Sequence, residues 1–153
     1  MSKSIPIELN SSDVVAVVCH DAGGSEIVSS LIARLGLSCN FALSGPAVSI
    51  FKRKIGVVPN RTLDNVLNNA DVFVCGTSSP AEDEVKSMLS AKLAGIPCIA
   101  VLDHWINYRQ RFTYNNELIV PDEVWVVDSA AKKIADKQLN GFSVRLIENP
   151  YRL

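Results

Sequence analysis

The sequence predicts an α/β fold: a single three-layer, doubly wound parallel sheet of the Rossmann-like kind, with about six strands. Short unbroken apolar runs, such as 14–19 and 72–75, are typical of strands buried on both faces. Segments with apolar residues on one helical face follow several of these runs. Polar and glycine-containing loops join the two kinds of segment. Such alternation favours parallel strands connected by right-handed crossovers.

The first strand is predicted at 14–19 and the first helix at 25–35. We expect Gly23 and Gly24 to form a tight turn between them, because glycine tolerates unusual backbone angles and lets a ligand approach closely. Ser25 is expected to cap the helix. A strand, a glycine turn and a helix amino terminus together favour the binding of an anion.

The next part of the chain is harder to interpret. A second strand is predicted at 39–43, followed by a short helix over 46–51 whose first residue is proline. The segment 57–58 precedes a proline and is interpreted as a short edge strand. A short helix is expected at 63–69, and a clear strand at 71–75.

The second half repeats the strand and helix pattern. Its predicted strands and helices are at 97–102, 123–127 and 144–147, and at 81–94 and 129–139, respectively. Leu93 is assigned to the buried stripe of the helix at 81–94. The stretch 103–116 has no clean period and is expected to be a long functional loop. Six strands suit the order 3-2-1-4-5-6, with a ligand near the switch between the first and fourth strands.

Composition places the chain among globular proteins. It has 153 residues, 48% hydrophobic and 20% charged, and a formal net charge of -1, so we expect one domain over 1–153. This charge argues against a nucleic-acid partner, which usually meets a basic face. The four cysteines form no CxxC pair and are expected to be free, buried thiols in a cytoplasmic protein. No apolar run approaches the ~20 residues of a membrane span.

The two histidines are the candidate acid–base groups. His20 and His104 each lie just past a predicted strand, on the same expected edge of the sheet. Asp21 and Asp103 adjoin them, and all four are candidate catalytic residues. Because neighbouring side chains usually point apart at a strand end, we expect the pairs His20–Asp103 or His104–Asp21. The alternative is that each histidine only hydrogen-bonds its loop. No metal is expected, since no HxH, HxxxH or HExxH spacing occurs.

Loop residues on the same edge are candidate ligand contacts. Backbone donors and hydroxyl groups there could hold a phosphate or a sugar hydroxyl, although simple helix capping explains the serines of 76–79 equally well. These candidates are Gly23, Gly24, Ser25, Ser44, Gly76, Thr77, Ser78 and Ser79. The glycines do not form GxGxxG and no Walker lysine follows, so no nucleotide cofactor is expected. A serine hydrolase is not expected either, because GxSxG is absent.

The stretch 103–116 adds an aromatic and basic group of side chains. They could stack on a sugar or base and hold a phosphate, or equally form a packed lid or a subunit contact. The side chains concerned are Trp105, Tyr108, Phe112, Tyr114, Arg109 and Arg111. Trp105 and Arg109 are counted among the candidate ligand contacts.

Several motifs together resemble the amino-terminal Rossmann-like domain of GT-B glycosyltransferases and the related sugar-nucleotide epimerases. They are the strand and His-Asp-Ala-Gly-Gly at 14–24, Gly-Thr-Ser-Ser at 76–79, the Gly-Ile-Pro passage at 94–101, the element at 121–129, and Ile-Glu-Asn-Pro-Tyr at 147–151. The resemblance covers most of the sequence in order. No segment corresponds to the carboxyl-terminal domain of those enzymes, and Glu148 stands where they often have glycine.

The resemblance implies a protein that handles a sugar or a nucleotide sugar in surface polysaccharide biosynthesis. It places His20, Asp21, Gly23 and Gly24 at the reaction centre, on the side that binds the acceptor. Whether the chain is itself an enzyme stays open. The alternative is a non-catalytic module for a small phosphate or nucleotide ligand, or one subunit of a two-chain enzyme. A homo-oligomer and a partner subunit are both compatible with the sequence.

Overall fold

The computed structural model describes residues 5–56 and 58–150. Eight strands occur in these ranges: β1 (Val14–Cys19), β2 (Ser38–Leu43), β3 (Val72–Cys75), β4 (Cys98–Val101), β5 (Thr113–Tyr114), β6 (Glu117–Leu118), β7 (Glu123–Val126) and β8 (Val144–Leu146). The helices in the same ranges are α1 (Ala22–Leu35), α2 (Pro46–Ile55), α3 (Asp83–Leu93), α4 (Tyr108–Arg111) and α5 (Ser129–Gln138).

Six of the strands form one parallel sheet, which confirms the predicted fold class. Their order across the sheet is β2-β1-β3-β4-β7-β8, and β5 and β6 pair separately as a small antiparallel hairpin. Both faces of the sheet are covered. Val15 and Val17 of β1 pack with α1 and α2 on one face, whereas Ala16 and Val18 pack with α3 and α5 on the other. The apolar run was therefore interpreted correctly as a strand buried on both sides.

The predicted strand order is wrong in one respect. Counted along the chain, the six parallel strands have the order 2-1-3-4-5-6 and not 3-2-1-4-5-6. The edge strand predicted at 57–58 does not extend the sheet beyond β2. Val57 lies outside the described residues, and Val58 is not in a strand. Beyond β2 the described chain makes only a single bridge, from Phe41 to Asn60.

The side chain of Asn60 makes hydrogen bonds to β2 that a neighbouring strand would otherwise make. Leu43 N donates to Asn60 Oδ1 at 2.7 Å, and Asn60 Nδ2 donates back to Leu43 O at 2.9 Å. Arg61 N also donates to Phe41 O at 2.6 Å. The amide therefore satisfies both backbone groups of Leu43, which is buried and would otherwise leave them unpaired.

Other predicted boundaries also change. Residues 63–69 form turns and not a helix. The helix expected at 81–94 is α3, which covers Asp83–Leu93, and Leu93 is 82% exposed instead of buried. Leu93 is the last residue of α3. The apolar pattern of the helix therefore continues beyond the part of α3 that packs on the sheet. None of the helices in the described ranges combines the length and apolar character that a bilayer crossing requires.

The stretch 103–116 contains more regular structure than the sequence indicated. It includes the short helix α4 and strand β5, and two of its aromatic side chains, Tyr108 and Phe112, are fully buried. These two belong to the core that packs under α3 and α5. Trp105 and Ile106, in contrast, are 58% and 63% exposed. The stretch therefore combines a packed segment with an exposed apolar tip.

Replacing Asn60 with alanine should weaken the edge of the sheet. The variant leaves the N–H and C=O of Leu43 without protein partners, so we expect the free energy of unfolding to fall by about 1–3 kcal/mol. Urea denaturation measures this change. The matched control is Asn68→Ala, which removes an exposed amide only 3.5 Å from Asn65. Equal stabilities of the two variants would contradict the role given to Asn60.

Candidate functional site

The carboxyl ends of the parallel strands form one edge of the molecule, here called the rim: residues 20–25, 44–45, 76–79 and 102–104, with the Glu84 side chain that bonds the loops among them. Parallel pairing of β1 with both β2 and β3 puts the loops that follow them on the same side. The chain leaves β1 for α1 on one face and leaves β3 for α3 on the other. The topological switch therefore lies between β1 and β3, which is where open α/β sheets bind ligands.

The two glycines after β1 are inside α1 and do not form the predicted turn. α1 begins at Ala22, three residues earlier than expected, and neither Gly23 nor Gly24 has a positive φ. Close packing is the reason for glycine here. A Cβ on Gly23 would lie 1.6 Å from Asp103 Oδ2, and one on Gly24 would lie 3.2 Å from the Cα of Gly76. The start of α1 is thus pressed against the loops that follow β3 and β4.

The first turn of α1 meets a carboxylate of the chain itself. The side chain of Asp103 is packed on Gly23, next to the positive end of the helix dipole. Burial raises the pKa of Asp103, while His104 and Arg111 lower it and Asp21 raises it further. The corner expected to attract an external anion is therefore already occupied by the carboxyl group of Asp103.

His20 pairs with its own neighbour, so the predicted pairing across the rim is wrong. His20 Nδ1 lies 2.7 Å from Asp21 Oδ1, and each side chain is about one-third exposed. The backbone makes this possible, because Asp21 is the N-cap residue of α1 with an extended conformation that turns its side chain back. Glycine at 45 leaves room for the ring, since a Cβ there would lie 2.7 Å from His20 Nε2.

The second histidine is also beside its own neighbour. His104 Nε2 lies 3.1 Å from Asp103 Oδ1, which is ion-pair distance when the ring is protonated. The approach lacks the alignment of a hydrogen bond, and Nε2 is buried without another partner among the described residues. Asp103 is therefore in contact with both His104 and the start of α1.

Glu84 is the rim residue that sequence reasoning missed. It lies in the first turn of α3, where the sequence predicts only that an acidic residue complements the helix dipole. It is 3% exposed and accepts hydrogen bonds from His20 N at 3.3 Å and from Ser78 N at 2.8 Å. One carboxyl group thus ties the loop after β1 to the loop after β3.

Burial raises the pKa of Glu84 to about 7, and the negative charge of Asp21 raises it as well. The hydrogen bonds from His20 and Ser78 act in the opposite direction but do not outweigh burial. Glycine at 76 makes room for this side chain, since a Cβ there would lie 2.4 Å from Glu84 Oε2. The Gly-x-Ser spacing at 76–78 was the available signal, but nothing in the sequence joined it to a residue of α3.

Most hydroxyl groups of the rim hold the loops in place. Ser25 Oγ donates to Asp21 O at 2.7 Å, so Ser25 stabilises the first turn of α1 without being its N-cap. Thr77 Oγ1 donates to Val101 O at 3.0 Å, and Ser78 Oγ accepts from Asp21 N at 3.0 Å. These three residues are buried. Their assignment as ligand contacts stays a prediction. In the structure their hydroxyl groups bond the backbone of the protein.

The remaining candidate contacts are spread more widely. Ser44 is half-buried and its Oγ lies 3.5 Å from Asp83 Oδ2, while Ser79 is exposed. Trp105 and Arg109 are exposed in the loop that follows the rim after β4. Arg111, in contrast, is 8% exposed and donates through Nη1 to Thr77 O at 2.7 Å. This buried guanidinium fixes the position of the aromatic loop relative to the rim.

The cysteines do not take part in this arrangement as nucleophiles. All four are free, as predicted, and burial raises the pKa of each thiol, to about 12 for Cys39 and Cys98. Cys39 is half-buried and the other three are buried. Among the described residues, no three His, Cys, Asp or Glu side chains are grouped so that they could hold a metal ion.

No protein-family model matches this chain, and no curated protein or solved structure matches it at a significant level. The geometry of the rim is therefore the basis for any functional conclusion. The fold defines a doubly wound α/β domain with histidine–aspartate pairs at the carboxyl edge of its sheet.

Gly23→Ala should displace the carboxylate of Asp103. In the wild-type background we expect the overlap to lower the free energy of unfolding by about 1–2 kcal/mol. In an Asp103→Ala background the overlap is absent, and the same change should raise stability by up to ~1 kcal/mol because alanine favours the helix. A double-mutant cycle by urea denaturation measures the coupling. Equal effects in both backgrounds would show that the two residues are not in contact.

Glu84→Gln should remove a pH dependence of stability. The unfolded chain releases this proton near pH 4.5 and the folded chain near pH 7, so the folded state binds more protons in between. Stability from this group is therefore lost as pH rises through that interval, by roughly 3 kcal/mol. Urea denaturation from pH 4 to 8 should show the loss in wild type and not in Glu84→Gln.

The control for this measurement is Glu82→Gln, which changes an exposed glutamate two residues away. It should retain the wild-type pH dependence. If Glu84→Gln and Glu82→Gln behave alike, Glu84 does not retain its proton in the folded protein.

Proposed function

We propose that this chain is the acceptor-side domain of a glycosyl-transfer enzyme, a protein that handles a sugar or nucleotide sugar of surface polysaccharide. The observation that carries the proposal is the His20–Asp21 pair, with Nδ1 and Oδ1 2.7 Å apart, at the switch point of the sheet. The motifs that resemble GT-B enzymes support the same reading. Transfer to a sugar hydroxyl needs a group that accepts the hydroxyl proton, and histidine is suited to that role near neutral pH.

The aspartate determines which nitrogen of the ring does this work. When His20 is neutral, the proton on Nδ1 donates to Asp21, and the lone pair of Nε2 is then free to accept a proton from the acceptor hydroxyl. As that proton arrives, the carboxylate stabilises the positive charge on the ring. Asp21 would act as a positioning residue and His20 as the general base.

The carboxyl groups of the rim favour a neutral, hydroxyl-rich ligand over a phosphate. Asp21, Glu84 and Asp103 place three carboxyl groups there, and burial of Asp103 on Gly23 puts a carboxylate at the start of α1. Carboxylates accept hydrogen bonds from sugar hydroxyls, whereas they repel phosphate oxygens. This supports a role in binding the acceptor.

The alternative function is a non-catalytic binding module or a subunit of a two-chain enzyme. The observation that favours it is that several polar groups of the rim already have hydrogen-bond partners within the chain. The hydroxyls of Ser25 and Thr77, and the backbone N–H of Ser78, are all engaged within the chain. A module of this kind would bind the sugar but transfer nothing.

Nuclear magnetic resonance of the two histidines tests the proposed base. In wild type, the neutral form of the His20 ring should carry its proton on Nδ1. Asp21→Ala should shift this proton to Nε2, while Asp136→Ala, an exposed carboxylate of α5, should change nothing. Methyl glycosides of common hexoses should move the His20 Cε1–H signal saturably, with Kd values in the range of ~1–10 mM. Absence of any shift would contradict a sugar site at the rim.

Turnover separates the two functions. In a screen of nucleotide sugars with the same glycosides as acceptors, we expect release of the nucleotide, and His20→Ala should lower its rate by about 10²–10⁴-fold. The thermal midpoint of the variant should stay near that of wild type, because His20 is partly exposed. A saturable shift without any release would favour the binding module, and a fully active His20→Ala would exclude His20 as the base.

A further inference from the structure

A wide, open pocket lies on the flank of the molecule, outside the rim. It has a volume of about 660 Å³ and is lined by residues 105–110 and by Lys137 and Gln138 at the end of α5. We call it the flank pocket. Its volume lies in the range of small-molecule sites. Because α5 starts at the carboxyl edge of the sheet and runs back along it, Lys137 and Gln138 lie away from the rim.

The chemistry of the flank pocket differs from that of the rim. Its charged side chains are Arg109 and Lys137, and no carboxylate lines it. Neither cation has a hydrogen bond or ion pair to another side chain in the described part of the protein. Trp105, 58% exposed, lines the same pocket. An exposed aromatic ring beside two unengaged cations suits a ligand that is flat at one end and anionic at the other.

Hydrogen bonds to the backbone hold the wall of the flank pocket in place. Arg111 Nε donates to Ile106 O at 3.1 Å, and its Nη1 donates to Thr77 O at 2.7 Å. The carbonyl of Arg109 accepts from Thr113 Oγ1 at 2.8 Å and from Phe112 N at 3.1 Å. The backbone on both sides of the exposed tip is therefore fixed, which reduces the entropy lost when a ligand binds.

We propose that the flank pocket binds a nucleoside diphosphate, with the base stacked on Trp105 and the phosphates on Arg109 and Lys137. Asn107 and Gln138 also line the flank pocket, and their amides supply donors and acceptors for the ribose or the edge of the base. Arg109 is the main phosphate contact, because Lys137 also offsets the negative end of the α5 dipole. This site is separate from the rim, and the proposal does not depend on the function proposed for His20.

Tryptophan fluorescence tests the proposal, because the chain has two tryptophans and Trp125 is only 5% exposed. ADP and UDP should quench the emission saturably and protect Trp105 from acrylamide. Trp105→Phe should abolish this signal. Calorimetry should show that Arg109→Ala weakens ADP binding about tenfold and Lys137→Ala about threefold. Lys133→Ala, an exposed lysine of the same helix outside the pocket, should bind like wild type.

The comparison ligands are adenosine and pyrophosphate, each of which carries half of the proposed ligand. Each should bind at least tenfold more weakly than ADP. Pyrophosphate binding as tightly as ADP would overturn the role of Trp105, and unchanged binding to Arg109→Ala would overturn that of Arg109. No saturable change up to several millimolar nucleotide overturns the proposal. The proposal is also overturned if Trp105 emission changes with protein concentration while the molecular mass doubles. A second copy of the chain would then cover the flank pocket.

Discussion

The close approach of α1 to the ends of β3 and β4 is the constraint on which the rim depends. Gly23 lies against the carboxylate of Asp103, and Gly24 lies against the backbone of Gly76. A side chain at either position would separate the helix from the loops. The approach brings residues that are 80 positions apart into one cluster and sets the place where Asp21 turns back toward His20.

Glu84 also holds this cluster together. It bonds the backbone of His20 and of Ser78, so the loops after β1 and β3 are held by a single buried carboxyl group. Burial keeps its proton on to about pH 7. The rim therefore gains a further negative charge near neutral pH, close to Asp21. The electrostatics of the rim and the integrity of its loops are coupled through this group.

The chain separates its charges in space although its net charge is only -1. Carboxyl groups gather at the rim, and the flank pocket has only cations among its charged side chains. Arg111 connects the two regions, since its guanidinium bonds Thr77 on one side and Ile106 on the other. A domain of this size can thus carry two surfaces whose charged side chains differ in sign.

The sequence by itself determined the parallel sheet and the placement of His20 and His104 at its carboxyl edge. Unbroken apolar runs record burial on both faces, and this local signal needs no knowledge of the partner strands. The same signal failed at the sheet's outer edge, where an Asn60 side chain replaces a strand and leaves no apolar pattern.

Only the tertiary structure decided how the site is assembled. The pairing of His20 with Asp21 follows from the backbone angles at the start of α1 and from the room that Gly45 leaves. The burial of Glu84 follows from the meeting of α3 with two distant loops. Sequence periodicity reports which side of an element is covered, but the orientation of a polar side chain depends on atoms that other elements bring to it.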